Sequence, residues 1–330
     1  MDMRKKASLA LAALCTMGLF GCPKPDAGPV TPVTPGPGGS GPRMTIAVIP
    51  KGTENQFWQS IKAGADAAGK EENCEIKWDG PNPENDITAQ VNIVNTMVNN
   101  KVNGIVIAAC DKTALVAPIK KAMAAGIPVV TVDSGISTED PVSYIATDNL
   151  NGGKEAAIAL AKLMEEKGTA GYLIFGKGQV SSDEREQGFV DEMKKHPGIK
   201  VLPPLEASDA GKAFSNVTNM LTAHPEITGI FAASEPNGVS GSAVLDQKKL
   251  AGKIKLVAFD SSDKEIEALK SGTIQALIVQ DPYQMGYKGV KTALKAIKKE
   301  TVEKKVDSGL KVVTKENLDT PEIKKLLKPE

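Results

Sequence analysis

The feature that most constrains this chain is a regular alternation of short apolar runs and longer helical stretches, which begins at residue 43. Most of the apolar runs are rich in Val and Ile and are nearly continuous, without a polar residue at every second position. Continuous apolar runs are typical of strands that helices cover on both faces. The alternation therefore predicts an α/β protein built from βα units with parallel sheets.

Nine strands and eight helices are predicted in this series. The predicted strands are residues 45–49, 75–78, 104–108, 128–133, 170–175, 200–202, 229–232, 255–259 and 275–279. The predicted helices are residues 56–70, 87–100, 113–125, 152–167, 183–195, 211–223, 264–271 and 284–299.

Three candidate crossovers divide the series: an extended piece at residues 144–149, residues 280–282, where Pro282 would start a helix, and a short extended run at 310–314. A single nine-stranded sheet is one interpretation, but three crossovers favour two doubly wound parallel-sheet lobes joined by a three-strand hinge. The predicted N-terminal lobe is residues 43–146 with 281–309, and the C-terminal lobe is 147–280 with 310–330. Strand ends from both lobes would then face a shared cleft, where open α/β sheets bind ligands.

The N-terminus has the layout of a signal peptide, predicted over residues 1–21. Arg4, Lys5 and Lys6 precede a 14-residue apolar stretch, which is too short to span a membrane as a folded helix. The following LFGC segment resembles the lipobox of bacterial lipoproteins, which implies that Cys22 is lipidated. Phe20 departs from that pattern, which prefers a smaller residue, and a plain secretory signal with a chance cysteine is the alternative.

Residues 23–42 contain seven Pro and five Gly in twenty positions, a composition that cannot bury a core. With Cys22, this segment is predicted to be a solvated tether between a lipid anchor and the folded body. The expected location is the periplasm or the cell surface, on the inner or the outer membrane. Cys74 and Cys110 are expected as free thiols, because they lie at opposite ends of predicted parallel strands.

Composition argues against several classes of protein. Lys plus Arg and Asp plus Glu both number 40, so no basic excess indicates nucleic-acid binding. The two histidines each precede a proline and lack neighbours at metal-ligand spacing. Neither a phosphate-binding loop nor a dinucleotide-binding glycine motif is present at the required spacing. No metal, cofactor or catalytic residue is therefore predicted.

Several segments, taken together, resemble the type I periplasmic binding proteins, the ribose-binding-protein-like sugar receptors of ABC importers. The resemblance extends over about residues 44–314. The segments are IAVIPKGTENQFW at 46–58, GIVIAACD at 104–111, GIPVVTVD at 126–133, YIATDN at 144–149, REQGF at 185–189, LVAFD at 256–260 and QDPYQMGYKG at 280–289. The resemblance implies a two-lobe fold that binds a small hydroxylated ligand.

The resemblance also implies which side chains touch the ligand: Asn55, Phe57, Trp58, Asp133, Arg185, Asp260 and Gln280. Carboxylates, amides and guanidinium suit vicinal hydroxyls, and an aromatic ring suits the C–H face of a sugar. Three alternatives stay open at this stage. Asp133 and Asp260 could be caps, Arg185 could pair at the surface with a neighbouring glutamate, and only one of the two adjacent aromatics need face the ligand.

Two departures from the family pattern bear on the ligand. Ser134 stands where ribose-type receptors carry Arg, and Ser234 stands where they carry Asn. The expected pocket is therefore less cationic than a ribose site, although Lys51 in the first strand–helix loop could restore a positive donor. A solvated loop position for Lys51 is the alternative.

The predicted function is a lipid-tethered, monomeric receptor that captures a sugar, a polyol or a related ligand and delivers it to the permease of an ABC importer. One alternative is a signal receptor on the same fold, for an autoinducer-like sugar derivative or for chemotaxis. A second alternative, from another class, is a sugar-modifying enzyme.

Overall fold

Two sheets, each covered by helices on both faces, make up the computed structural model, which describes residues 43–328. The predicted signal peptide, Cys22 and the tether lie outside the described residues. Among the helices that are described, none is both long enough and apolar enough to cross a membrane.

The first sheet has six parallel strands in the order β12–β5–β4–β3–β1–β2. Its strands are β1 (Thr45–Ile49), β2 (Glu75–Trp78), β3 (Gly104–Ile107), β4 (Val129–Val132), β5 (Ser143–Ala146) and β12 (Lys305–Asp307). Its helices are α1 (Gln56–Glu71), α2 (Ile87–Asn99), α3 (Val116–Ala124) and α9 (Pro282–Ile297).

The second sheet runs in the order β13–β11–β10–β9–β6–β7, with a short additional strand, β8, beside β6. Its strands are β6 (Gly168–Ile174), β7 (Ile199–Val201), β8 (Leu205–Glu206), β9 (Ile227–Ala232), β10 (Lys255–Phe259), β11 (Ala276–Gln280) and β13 (Leu310–Val313). Its helices are α4 (Asn149–Leu163), α5 (Val180–Met193), α6 (Ala210–Ala223), α7 (Glu235–Gln247), α8 (Asp263–Ser271) and α10 (Pro321–Leu327).

Each sheet separates two hydrophobic cores, because successive side chains of a strand point to opposite faces. In β1, Ile46 and Val48 pack on the side of α1 and α9, whereas Ala47 and Ile49 pack on the side of α2 and α3. The second sheet repeats this arrangement with two cores of its own. Burial on both faces explains why the strands read as continuous apolar runs, and the predicted α/β two-lobe class is confirmed.

The chain passes between the sheets three times, after β5, after β11 and after β12. Among the strand pairs of residues 43–328, one is antiparallel: β13 runs antiparallel to β11, with Leu277 opposite Val313. The chain enters β13 directly from β12 of the first sheet, through a short turn at residues 308–309.

Some predicted boundaries were wrong. Asn149 was predicted as extended, but it is the first residue of α4, because the Asp148 side chain accepts the Asn151 N–H and caps the helix one turn earlier. Helix α7 was not predicted, since its sequence EPNGVSGSAVLDQ is poor in helix formers. The strands β8 and β12 and the terminal helix α10 were also missed.

One helix pair in each lobe crosses at glycines that leave no room for a side chain. A Cβ on Gly64 of α1 would lie 2.0 Å from the carbonyl oxygen of Tyr283 in α9. A Cβ on Gly153 of α4 would lie 2.1 Å from the carbonyl oxygen of Arg185 in α5. These close crossings pack α1 against α9 and α4 against α5. Cys74 and Cys110 are both buried free thiols.

Candidate functional site

A cleft between the two sheets receives side chains from the C-terminal ends of strands in both lobes. The space between its lining atoms is about 430 Å³, counting the part that is open to solvent. All ten residues selected from the sequence except Ser134 line it. The lining residues are Lys51, Asn55, Phe57, Trp58, Glu84, Asp133, Phe175, Gln179, Ser181, Ser182, Arg185, Ala233, Ser234, Glu235, Pro236, Asp260 and Gln280.

Asp133 and Asp260 occupy equivalent positions in the two lobes. Each follows directly after a strand, and each donates its backbone N–H at 3.0 Å to the neighbouring strand, Asp133 to Ile145 and Asp260 to Ile278. Each also has a positive φ, +56° for Asp133 and +80° for Asp260. Non-glycine residues with positive φ are uncommon and are enriched at functional sites. The shared backbone conformation turns both carboxylates into the cleft.

Lys51 is buried, not solvated, and forms an ion pair with Asp133. Its Nζ lies 2.8 Å from Oδ2 of Asp133, and both side chains are less than a tenth exposed. The same ammonium donates to Oε1 of Gln179 at 3.1 Å and to Oγ of Ser181 at 3.3 Å, both in the other lobe. Lys51 therefore neutralises one carboxylate of the cleft and links the two lobes.

Arg185 is buried and makes no surface ion pair with its glutamate neighbours. Its guanidinium donates to Oδ1 of Asn149 at 2.8 Å and to the carbonyl oxygen of Ala233 at 2.9 Å. It also lies 3.7 Å from the centroid of the Phe259 ring, a cation–π contact. Burial lowers the pKa of Arg185, although nearby carboxylates oppose this shift. The group is thus held rigidly at the floor of the cleft.

Asp260 connects three elements of the second lobe. Its Oδ1 accepts Nε2–H of Gln280 at 2.6 Å, and its Oδ2 accepts the backbone N–H of Glu235 at 2.9 Å. The aspartate therefore caps α7, which was one of the alternatives considered from the sequence. It also lines the cleft. Burial raises the pKa of Asp260, against the attraction of the Arg185 guanidinium. Oε1 of Gln280 has no hydrogen-bond partner among the described residues.

Phe57 and Trp58 both line the cleft and pack against each other. Their ring centroids lie 4.9 Å apart with the planes at 87°, an edge-to-face arrangement. Trp58 is almost fully buried, and Phe57 is partly exposed. Lys51 Nζ lies 5.6 Å from the centroid of the Trp58 ring. The two aromatics form an apolar wall opposite the charged strand ends.

Asn55 stands at the N-cap of α1 but does not cap it. Its Nδ2 instead donates to Oε2 of Glu84, whose Oε1 accepts the indole N–H of Trp58 at 3.0 Å. Burial raises the pKa of Glu84 to about 7. Sequence reasoning missed this glutamate, which lies in the loop between β2 and α2 with no pattern around it that points to a site.

The two serines that depart from the family pattern have different positions. Ser234 lines the cleft, and its buried Oγ has no hydrogen-bond partner among the described residues. Ser134 is buried beside the cleft and is not one of its lining residues; its Oγ accepts the backbone N–H of Ser181 at 3.4 Å. Ser134 thus contacts the other lobe at a place where an arginine would have added charge.

The first turn of α1 is bonded to the opposite lobe. The carboxylate of Glu235 accepts the backbone N–H of Phe57 at 2.9 Å and that of Gln56 at 3.2 Å. The Gln56 side chain in turn accepts the backbone N–H of Asp263 at 2.9 Å. Burial raises the pKa of Glu235. These bonds hold the lobes together on the α1 side of the cleft.

A second set of contacts joins the lobes beside Lys51. Lys112 Nζ lies 2.6 Å from Oδ2 of Asp183, and the backbone N–H of Lys112 donates to the carbonyl oxygen of Gly178 at 2.8 Å. Nε2 of Gln179 donates to Oδ1 of Asn85 at 3.0 Å. Because hydrogen bonds and an ion pair join the lobes on two sides of the cleft, the structure shows the cleft closed. Within residues 43–328, no cluster of His, Cys, Asp and Glu could hold a metal ion.

Known proteins resemble this chain in sequence and in structure. Residues 46–301 match a family model described as a periplasmic binding protein domain. The ribose import binding protein of Salmonella typhimurium is 32% identical over 277 residues, which cover 82% of this chain and 91% of that protein.

Two solved structures are also similar. A carbohydrate transporter solute binding protein from Agrobacterium radiobacter, in complex with D-arabinose, is 36% identical with a TM-score of 0.85, covering 87% of this chain and 99% of that chain. An ABC transporter solute binding protein from Agrobacterium vitis, with bound D-fucose, is 39% identical with a TM-score of 0.84, covering 86% of this chain and 100% of that chain.

Proposed function

Because the chain belongs to the periplasmic binding protein family, we propose that it captures a monosaccharide or a related polyol between its lobes and presents it to the permease of an ABC importer. The observation that carries the proposal is the convergence of Asp133, Arg185 and Asp260 with two aromatic side chains on one interlobe cleft. The relatives reported above are import and transporter proteins, which favours import over signalling.

The chemistry of the cleft suits a neutral hydroxylated ligand. Each sugar hydroxyl offers one donor and two acceptor sites. Carboxylate oxygens of Asp133 and Asp260 accept from hydroxyls, the Arg185 guanidinium donates to ring or hydroxyl oxygens, and Asn55 can do either. Ser234 Oγ and Gln280 Oε1 are buried without protein partners among the described residues, so they suit a bound hydroxyl. Phe57 and Trp58 cover the apolar face of the ring.

In this mechanism the ligand stabilises closure because it contacts both lobes at once. Lys51, Asn55, Phe57, Trp58 and Asp133 belong to the first lobe, and Arg185, Ser234, Asp260 and Gln280 belong to the second lobe or its crossover. A ligand that binds the closed form better than the open one shifts the population towards closure. The permease then distinguishes the two forms.

The cellular setting is part of the proposal. We propose that Cys22 carries the lipid, that residues 23–42 are the tether, and that the receptor works as a monomer beside the membrane. The lobes are residues 43–146 with 281–309 and residues 147–280 with 310–330. Neither a cofactor nor a catalytic step is required for this role. Replacement of Cys22 by Ser should move the protein from the membrane fraction to the soluble fraction of the cell envelope.

Ligand binding is tested by calorimetric titration and thermal shift with D-ribose, D-arabinose, D-fucose and a linear polyol, because a tight ligand raises the apparent melting temperature. Asp260→Ala and the closer isostere Asp260→Asn should weaken binding of the best ligand by at least about tenfold. Asp66→Asn, at an exposed position of α1, is the matched control. Wild-type affinity in both Asp260 variants would refute the site, and turnover of a sugar would replace the receptor role with an enzymatic one.

A further inference from the structure

Glu84 joins two side chains of the proposed ligand site. Its Oε1 accepts the indole N–H of Trp58 at 3.0 Å, and its Oε2 accepts from Nδ2 of Asn55. An ionised carboxylate has acceptor sites on both oxygens, whereas a protonated one gives up part of that capacity and becomes a donor. Both bonds are therefore strongest when Glu84 is ionised.

Packing fixes the position of this carboxylate. Gly52, in the loop after β1, lies so close to Glu84 that an added Cβ would be 2.7 Å from both Cβ and Cγ of the glutamate. Glu84 thus sits between the loop after β1 and the first turn of α1. Glu84, which lies outside α1, therefore orients the side chains of Asn55 and Trp58.

The elements packed around Glu84 carry charged or titratable side chains that affect its ionisation. Burial raises its pKa to about 7, and the carboxylates of Asp133 and Glu235 act in the same direction. The Lys51 ammonium opposes them, and the buried Cys110 thiol is a further titratable neighbour. Ionisation of Glu84 therefore changes near neutral pH.

We propose that Glu84 is a positioning residue of the sugar site: its carboxylate holds Asn55 and Trp58 in the binding geometry, and its protonation loosens both. The sugar-binding half of this inference rests on the proposed function, whereas the effect on Trp58 does not. If the sugar binds only the ionised form, linkage makes the dissociation constant rise by about tenfold between pH 8 and pH 6.

The first experiment needs no ligand. The chain has two tryptophans, Trp58 and Trp78, so Trp78→Phe leaves Trp58 as the only indole emitter. In that background, Trp58 emission should titrate with a midpoint near pH 7, and Glu84→Gln should abolish the transition. Glu54→Gln, at an exposed glutamate near the same loop, is the matched control and should keep it. A flat titration in the Trp78→Phe protein overturns the inference, whether or not Glu84→Gln folds.

The second experiment measures affinity for the tightest binder among D-ribose, D-arabinose and D-fucose between pH 6 and pH 8. We expect wild type and Glu54→Gln to lose about tenfold on acidification, and Glu84→Gln to bind about tenfold more weakly at pH 8 with little pH dependence. Binding that is pH-independent in wild type, or stronger at pH 6, refutes the role of Glu84 and leaves the proposed function standing. Absence of binding of these three sugars and of the linear polyol at every pH refutes the proposed function itself.

Discussion

The carboxylate of Glu235 accepts the backbone N–H of Phe57 at 2.9 Å, so the N-terminus of α1 is capped by a residue of the opposite lobe. The first N–H groups of a helix have no intrahelical partner, and the positive end of the helix dipole favours an anion there. Asn55 is the residue type that would normally supply the cap, but its side chain is turned to Glu84. Closure of the lobes and capping of α1 are therefore the same event.

This cap predicts that Glu235 favours the closed form even without ligand. Glu235→Gln weakens two hydrogen bonds to a charged acceptor, a loss of about 1–3 kcal/mol from the closed state. We expect a larger radius of gyration in solution scattering of the ligand-free protein and an affinity for sugar lower by about tenfold. Glu267→Gln, at an exposed position of α8, is the control. An unchanged radius and affinity would show that Glu235 does not act as a closing contact.

Lys51 and Asp133 should behave as an energetically coupled pair. Lys51→Met leaves a buried carboxylate without its cation and should lower the free energy of unfolding by about 3 kcal/mol. Adding Asp133→Asn removes the unpaired charge, so the double variant should be more stable than Lys51→Met alone. Urea denaturation of the wild type, both single variants and the double variant measures the coupling. Strictly additive effects would mean that the 2.8 Å contact carries no net interaction.

Glu265 should make the fold less stable as pH rises. It is fully buried in α8, where its Oε2 accepts from the backbone N–H and Oγ–H of Ser262, and burial raises its pKa well above the usual value. Between the unfolded and the folded pKa, the folded state holds a proton that the unfolded chain has released, so stability is lost with increasing pH.

Glu265→Gln is always neutral and should remove that loss. Its free energy of unfolding relative to wild type should therefore increase between pH 5 and pH 8, by about 1 kcal/mol or more. Chemical denaturation at both pH values provides the measurement, with Glu267→Gln on the same helix as the exposed control. Parallel stability curves for wild type and Glu265→Gln would contradict the expectation.

Gly153 should be required where α4 crosses α5. Gly153→Ala places a Cβ about 2 Å from the backbone oxygen of Arg185, which should cost about 1–3 kcal/mol and displace the guanidinium from the cleft. Sugar affinity should fall with stability. Gly241 in α7 is the matched control, because the nearest atoms to an added Cβ belong to Leu256 at 3.6 and 3.7 Å. Gly241→Ala should be neutral or slightly stabilising in denaturation and should leave affinity unchanged.

Much of the fold and part of the cleft could be predicted from sequence, because the signals involved are local or periodic. Apolar runs such as 45–49 and 255–259 identify strands buried on both faces, and parallel strands place their C-terminal ends at one edge. That geometry alone brings Asp260 and Gln280 to the same edge of the second sheet. The family resemblance added Asn55 and Arg185, whose own surroundings in the sequence do not distinguish them from helix-cap or surface residues.

The features that could not be predicted from sequence depend on contacts between residues that are far apart in the chain. Helix α7 has poor helix propensity, yet the structure stabilises it by burying Gly238, Gly241 and Val244. The side-chain amide of Asn55 is bound by Glu84, which lies 29 positions away in the sequence. The cap of α1 comes from Glu235, 178 positions beyond Phe57. No local pattern specifies such pairings.

The sequence by itself determined the alternation of strands and helices, and with it the two buried sheets, because apolar periodicity is set by which faces of an element must leave water. Only the tertiary structure decided which polar groups meet across the cleft. Desolvation makes each buried donor, acceptor or charge seek a partner, and the partner available depends on how close the lobes approach. Glu235 acquires its contacts with the first turn of α1 from that approach, whereas Glu84 meets Asn55 and Trp58 through the folding of the first lobe itself.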